Sequence, residues 1–473
     1  MLGEEFHALQ QSDAVSPKFR VPTHSYVFKN FNEANKIESK DFVAVGSLAT
    51  GGLSNAWGCG VARLSAGEFA EFPCSSSDFD EPYEIVAKRI GISGRNDDDM
   101  ADYFGVDGWA QLPIQMDILH QHLYEKFTNR ATKYPPQDFR LGRSRVAVLS
   151  AAHAGRLACD NSGNCLWGCQ RGAMYSSKDE LPLLRSYKNF HEHKGLIVDQ
   201  LIKNGNMWTV AGLINSSKER RAITASRVVL AAGTLATTRI ALQALKYEQS
   251  VRVLSCPTAA FLLWLPRFLG AARTPAFGLG QLSFSLGLKN DVTAFGSTFA
   301  TTGIPISEFA RHLPMQRRVS IDFLSAWLSS CLVGNVFLPG KFSSSTAQLR
   351  GDGVLSVQGG GEDEVNKLMP KISARLRQEY ARLGAWMVPQ SFTLGKRGSD
   401  IHYAGTLPMR KQPLVGETNE FGELQGLQGV YVVDGACLPV LSEKSHTLTV
   451  MANAVRIGQE LVKELMREKT SRV

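Results

Sequence analysis

The stretch GVYVVDGACLPVLSEKSHTLTVMANAVRIGQELV, residues 429–462, decides how the chain is read. It opens with a short run of β-branched and aromatic residues, Val430 to Val433, that ends in Asp434-Gly435. A run of that length bounded by glycine predicts a buried strand. After a loop containing Pro439, the residues Ser445-His446-Thr447 open a segment with helical periodicity, which places His446 at a helix mouth. The first N–H groups of a helix have no partner inside it and carry the positive end of its dipole, so such a mouth suits an electron-rich ring or a phosphate. Upstream, DIHYAGTLPM (400–409) sets a second histidine, His402, beside a Gly-Thr pair in another loop. Taken singly, each histidine reads as readily as a polar loop residue satisfied by local hydrogen bonds.

Outward from there, residues 251–395 mix GLGQLSFSLGL (278–288) and RRVSIDFLSAWLSSCLVGNVFL (317–338) with an amphipathic helix, EDEVNKLMPKISARLRQEYARLG (362–384). This predicts a unit with its own antiparallel sheet and helices. AAFLLWLPRFLGAA (259–272) is the most apolar long stretch; it is too short to span a bilayer and contains Pro266 and Arg267, so it reads as a buried or peripheral helix, with a lid or membrane-surface contact as the other reading. Residues 195–233 hold three apolar runs split by KNGN and SSKERR, and Asn-Gly between alternating runs signals a hairpin. The third run, RVVLAAG (227–233), predicts a buried strand ending in Gly233, followed by a helix, TLATTRIALQALKY. Helices are expected over 78–105 and 114–128, the first with an acidic start. DFVAVGSLATGGLSNAWG (41–58) is a strand-like run leading into a Gly-rich loop, and residues 1–40 read as an irregular lead-in.

A chain of 473 residues implies two domains or one large α/β body. The net charge of +8 comes from scattered Lys and Arg, and the densest cluster, KERR (218–221), reads as a solvated turn, so nucleic acid is not an expected partner while an anionic substrate is compatible. Eight cysteines spread over so long a chain point to reduced thiols and a cytoplasmic protein. MLGEEFHALQQSD has neither the basic start nor the apolar core of a signal peptide, and a membrane partner is not expected. Cys159, Cys165 and Cys169 are spaced C-x5-C-x3-C, which lacks the C-x2-C of zinc knuckles and ferredoxin-type clusters. They read as a structural loop rather than a metal site, a metal or cluster being the alternative. His120 with His122, and His191 with His193, read as ordinary polar residues.

Together, H-x-x-G-T-x-x-M at 402–409, a strand ending in VVDG and SHT opening the last helix resemble the glucose–methanol–choline (GMC) oxidoreductases, FAD enzymes that oxidise alcohols and sugars. TGGLSNAWG (50–58) is similar to the family's Gly-Gly loop beside the cofactor, where small residues let the backbone approach closely. VVLAAGTLATTRIAL (228–242) resembles the strand, glycine and helix that return to the cofactor domain, and CDNSGNCLWGCQRGAMYSS (159–177) resembles a Cys-rich loop of sugar-oxidising relatives. The resemblance implies an α/β fold (α+β) with a Rossmann-like FAD domain from residues 1–75, 150–250 and 396–473. It also implies a substrate domain, with an antiparallel sheet, from 76–149 and 251–395. It implies His402 and His446 as the catalytic pair, and Gly51, Gly52, Ser54, Asn55, Gly233, Asp434, Gly435 and Thr447 at the cofactor, Asp434 reading alternatively as a turn or helix cap. His402 would accept the proton of a substrate hydroxyl while the C–H hydrogen leaves as hydride to flavin N5, and His446 would hydrogen-bond the substrate oxygen. A base with a pKa near 6.5 suits that step. The substrate class is a sugar or other small alcohol; the electron acceptor stays open among O2, a quinone and a carrier protein.

One element is missing from the pattern. No G-x-G-x-x-G, the fingerprint that seats a pyrophosphate on a helix N-terminus, occurs in the chain. The expectation is therefore an N-terminally truncated FAD domain that binds FAD more weakly than one with its first βαβ unit. A non-catalytic remnant, a pseudoenzyme or binding protein that holds no FAD, is the competing reading.

Overall fold

The computed structural model of the protein describes residues 18, 21–131, 138–272, 275–289, 291–304, 306, 310 and 313–470. Its largest sheet has seven strands and is antiparallel throughout. Its order is Trp386–Met387, Thr258–Trp264, Cys331–Phe337, Val292–Ala300, Gly280–Leu288 and Phe139–Arg143, with Thr393–Leu394 also pairing with 258–264. Alternation builds its core: Phe261, Phe284 and Phe139 project from three of its strands onto Tyr380 of the helix Asp363–Arg382. Val365, Met369, Ile372 and Leu376 bury the same face of that helix at helical spacing.

A four-stranded sheet runs Ile37–Lys40, Leu355–Gln358, Ser345–Leu349 and Val251–Val253, the first pair parallel. A three-stranded meander, Leu196–Asn204, Met207–Ile214 and Arg220–Ala225, follows the hairpin signals. Among the described residues one parallel pair remains, Val228–Leu230 beside Val430–Val432. It brings the 150–250 and 396–473 stretches together, whereas every strand of the seven-stranded sheet comes from 76–149 and 251–395.

Three local readings need correction. Residues 259–272 form a strand and a short 3-10 turn at Pro266–Phe268, not a helix; the segment sits between two antiparallel neighbours, and pairing overrides its leucine-rich composition. The helix over 78–105 spans Asp80–Ile90 and stops because Gly91 takes a left-handed φ of 67°. The run 41–48 forms no strand, while the supposed lead-in supplies the edge strand Ile37–Lys40.

Near the site, three segments lock together. Backbone N–H groups of Gly405, Leu407 and Met409 donate to the carbonyls of Gly435, Ala436 and Cys437. Thr234 Oγ1 donates to the Tyr403 carbonyl at 2.7 Å, and Thr238 pairs with Thr406 at 2.6 Å. Gly435 has no room for a side chain: a Cβ would lie 2.5 Å from the Tyr403 carbonyl oxygen and 2.6 Å from Thr234 Oγ1. Gly435→Ala should therefore lower stability by about 1–3 kcal/mol, the range for overpacking a filled interior. Urea unfolding of the variant checks this; an unchanged midpoint would mean that the 402–409 loop can part from the strand end.

Candidate functional site

His402 and His446 meet. Their ring centroids are 5.0 Å apart with planes at 78°, an edge-on contact. Phe337 of the seven-stranded sheet packs on His402 with centroids 5.4 Å apart. His446 sits where the last helix begins, its carbonyl accepting from Val450 N at 2.9 Å. The loop before it is held by a buried polar network. Lys444 Nζ bonds Glu68 at 2.8 Å, the Tyr103 hydroxyl donates to Glu443 at 2.9 Å, and the Lys444 ammonium lies 4.4 Å from the centre of the Tyr103 ring. His402 follows Ile401, whose φ of 63° is costly for a β-branched residue and turns the chain into the site.

Both rings are half-buried, and neither Nδ1 has a hydrogen-bond partner. Burial disfavours the imidazolium and pushes His402 down to about 4. The same burial, with His402 alongside, takes His446 to about 3. Both rings are thus neutral at physiological pH, and the pKa near 6.5 expected for the base is corrected downward by its surroundings. Asp400 lies beneath them, with 3.8 Å between its Oδ2 and His402 Nδ1. It accepts from Cys256 N at 2.7 Å and His402 N at 3.2 Å, yet Oδ1 is buried without a partner, and burial raises it to about 8.

The other predicted residues divide into two sets. Asp434 is committed to its own chain: it accepts from Gly233 N at 2.9 Å, Thr237 Oγ1 at 2.5 Å and Ala436 N at 3.0 Å. It caps the 3-10 turn Gly435–Cys437 through the Ala436 bond, the alternative role weighed for it, and its other two bonds fasten that turn to the start of the helix Thr234–Leu245. Ser54 Oγ donates to Gly51 O at 2.5 Å and accepts from Ser177 N at 2.9 Å, while the Asn55 amide donates to Thr50 O and Gly52 O and accepts from Ser176. Those two side chains tie the Gly loop to residues 176–177. Gly52, by contrast, has φ 56° and open space where a side chain would stand; Gly233 has φ 87°, equally open space and an exposed backbone. Thr447 is the first residue of the last helix. The Gly loop reaches the histidines from one side: Leu53 and Ala56 share an apolar cluster with Ile401, and a Cβ on Gly60 would lie 3.7 Å from Ser445 Cβ.

Sequence reasoning missed Asp400 and Cys256. Asp400 is signalled only by its place two residues before His402; nothing in sequence joins Cys256 to it. All eight cysteines are free, and the His120 ring nitrogen bonds Asp117 at 2.8 Å, an ordinary buried histidine.

Residues 364–454 match the GMC oxidoreductase family model. Both histidines lie inside the matched segment. The fold is similar to that of an FAD-dependent oxidoreductase from Chaetomium thermophilum, solved in complex with a thienyl-oxobutanamide fragment. The likeness has a TM-score of 0.54 and 13% sequence identity, over 90% of this chain and 87% of that one. At that identity the match speaks for the fold. No curated protein matches the chain in sequence. The GMC resemblance read from the motifs thus holds for the C-terminal segment, inside an FAD-dependent oxidoreductase fold. Among the described residues no helix is long and apolar enough to cross a membrane.

For FAD, the fold's implied cofactor, the residues present fit at the reactive end: open backbone at Gly52 and Gly233, a helix mouth at Thr447, and two orphaned imidazole nitrogens.

The neutral histidines fix a pH dependence. The folded pKa of His446, about 3, lies below its unfolded value of 6.5, so its contribution is intact above pH 6.5. It is lost as pH falls through that window, because only the unfolded chain takes up the proton. Asparagine does not titrate. The stability of His446→Asn relative to the natural chain should therefore rise as pH drops from 6.5 toward 4, read by urea unfolding at each pH; a constant difference would place His446 in water.

Proposed function

We propose that the chain is a GMC-type FAD-dependent oxidoreductase acting on the CH–OH group of a sugar or other small alcohol, with His402 as the base and His446 as its partner. The observation that carries this is the edge-on pair of neutral imidazoles, each with an unpartnered Nδ1, in the segment matching the GMC model. The eight free cysteines agree with a cytoplasmic protein.

Bound FAD would supply the two-electron acceptor. Gly51, Gly52, Gly233 and Thr447 would hold it, through backbone rather than side chains, while the buried Gly435 packs against Tyr403 and Thr234 instead. A hydroxyl arriving between the rings would donate to a nitrogen of the neutral His402, which takes its proton, while a ring N–H of His446 donates to its oxygen. Asp400, 3.8 Å away and itself protonated at neutral pH, would answer the charge of the imidazolium formed there only by releasing its own proton. His446 orients the same oxygen, and since Asn can also donate a hydrogen bond, it should substitute partly. Phe337 and the paired ring shield part of the His402 ring from water.

The non-catalytic reading is favoured by one observation: Ser54, Asn55 and Asp434 spend their side chains inside the chain, and the described parallel sheet has two strands. Visible absorbance of the purified protein, before and after addition of FAD, separates the two. A yellow protein with two bands supports the oxidoreductase; a protein that stays colourless supports the remnant.

In FAD-loaded protein, His402→Ala should cut alcohol oxidation by about 10²-fold or more, the usual scale for losing a general base. His446→Asn should be milder than His446→Ala. The acid limb of kcat/KM should fall near pH 4 rather than 6.5, following His402. Wild-type turnover in His402→Ala at neutral pH would remove His402 from the chemistry.

A further inference from the structure

We propose that Cys256, Asp400 and His402 form a binding site for a borderline-soft divalent cation of the Zn2+ class. Their ligand atoms all lie within 4.8 Å of one another, and among the described residues no other three His, Cys, Asp or Glu side chains converge in this way. The Cys159, Cys165 and Cys169 loop does not.

The donor set matches the ion. Thiolate, imidazole and carboxylate are the three zinc ligand types, and three protein ligands with a fourth position left to water is a common arrangement. Donors around a tetrahedral zinc sit roughly 3.3–3.6 Å apart, from bond lengths of about 2.0–2.3 Å. Asp400 Oδ2 and His402 Nδ1 are already 3.8 Å apart, and no pair of donors exceeds 4.8 Å, so closure asks for shifts of up to about 1.5 Å. His402 Nδ1 has no partner, and Asp400, on a side chain only 1% exposed, leaves Oδ1 unpartnered while its Oδ2 accepts from Cys256 N and His402 N. The Cys256 thiol bonds only weakly, to Ser442 O at 3.2 Å.

Binding displaces protons. A thiol and a carboxyl group ligate as anions and an imidazole as its neutral form, so affinity rises with pH. The ion also takes a nitrogen of His402, so metal and base compete for one ring; that consequence alone rests on the function proposed above.

Co2+ titration of the flavin-free chain tests the site without reference to turnover. One equivalent should produce a near-ultraviolet thiolate-to-cobalt band, displaced by Zn2+. Cys256→Ala should abolish the band, and His402→Gln should weaken binding by about 10²-fold or more, beyond the loss of an outer-shell partner. Serine at Cys159, Cys165 and Cys169 together should leave band and stoichiometry unchanged and lower only stability. If the natural chain gives no thiolate band, or the band survives Cys256→Ala and vanishes in the triple serine variant, the site is refuted. Circular dichroism of each variant separates a lost ligand from a lost fold. A positive cobalt result with no alcohol oxidation would overturn the proposed function and leave this site standing.

Discussion

Three backbone hydrogen bonds, from Gly405, Leu407 and Met409 to Gly435, Ala436 and Cys437, hold the site together. They fasten the loop that carries His402 to the strand end that leads into His446. Asp434 extends the junction to a third element by accepting from Gly233 N and Thr237 Oγ1 at the start of the helix Thr234–Leu245, and Thr234 returns a bond to the Tyr403 carbonyl. With these segments fixed, two residues far apart in sequence can stand 5.0 Å apart without a direct hydrogen bond between their side chains being needed to hold them. The cost sits in Ile401, whose left-handed backbone aims His402 at its partner.

The same packing decides the electrostatics. Two imidazoles in contact and shielded from water cannot both be charged, so burial and proximity leave both neutral. Asp400 is subject to the same pressure with the opposite sign and holds its proton toward pH 8. The site thus rests uncharged, with acceptor nitrogens waiting and a carboxyl group beside them. A proton or a cation entering it would be compensated only as Asp400 gives up its own proton, and an alcohol oxidation and a metal would each depend on that release.

Much of this was legible in the sequence, for identifiable reasons. The hairpins at 195–225 were announced by Asn-Gly, and the helix Asp363–Arg382 by its spacing of apolar residues. His402 and His446 were singled out because each lies in a short pattern of small residues around a turn, and the two patterns occur in order. Residues 259–272 misled because leucine-rich composition is weak against antiparallel neighbours on both sides. Side-chain allegiance was hidden as well: Ser54 and Asn55 bond a loop more than a hundred residues away, and Cys256 reaches Asp400 only through the fold. Such pairings are long-range geometry, which periodicity does not encode.

The central claim is that His402 and His446 form one shielded, neutral pair. Nitrogen-detected NMR of the imidazole rings tests it directly, with the pair's signals among the ten histidines assigned by their loss in His402→Ala and His446→Asn. The account predicts that both rings stay neutral well below pH 6.5, His402 titrating near 4 and His446 near 3, and that substituting His402 moves the titration of His446 upward. Two independent titrations near 6.5, each indifferent to the other residue, would contradict it.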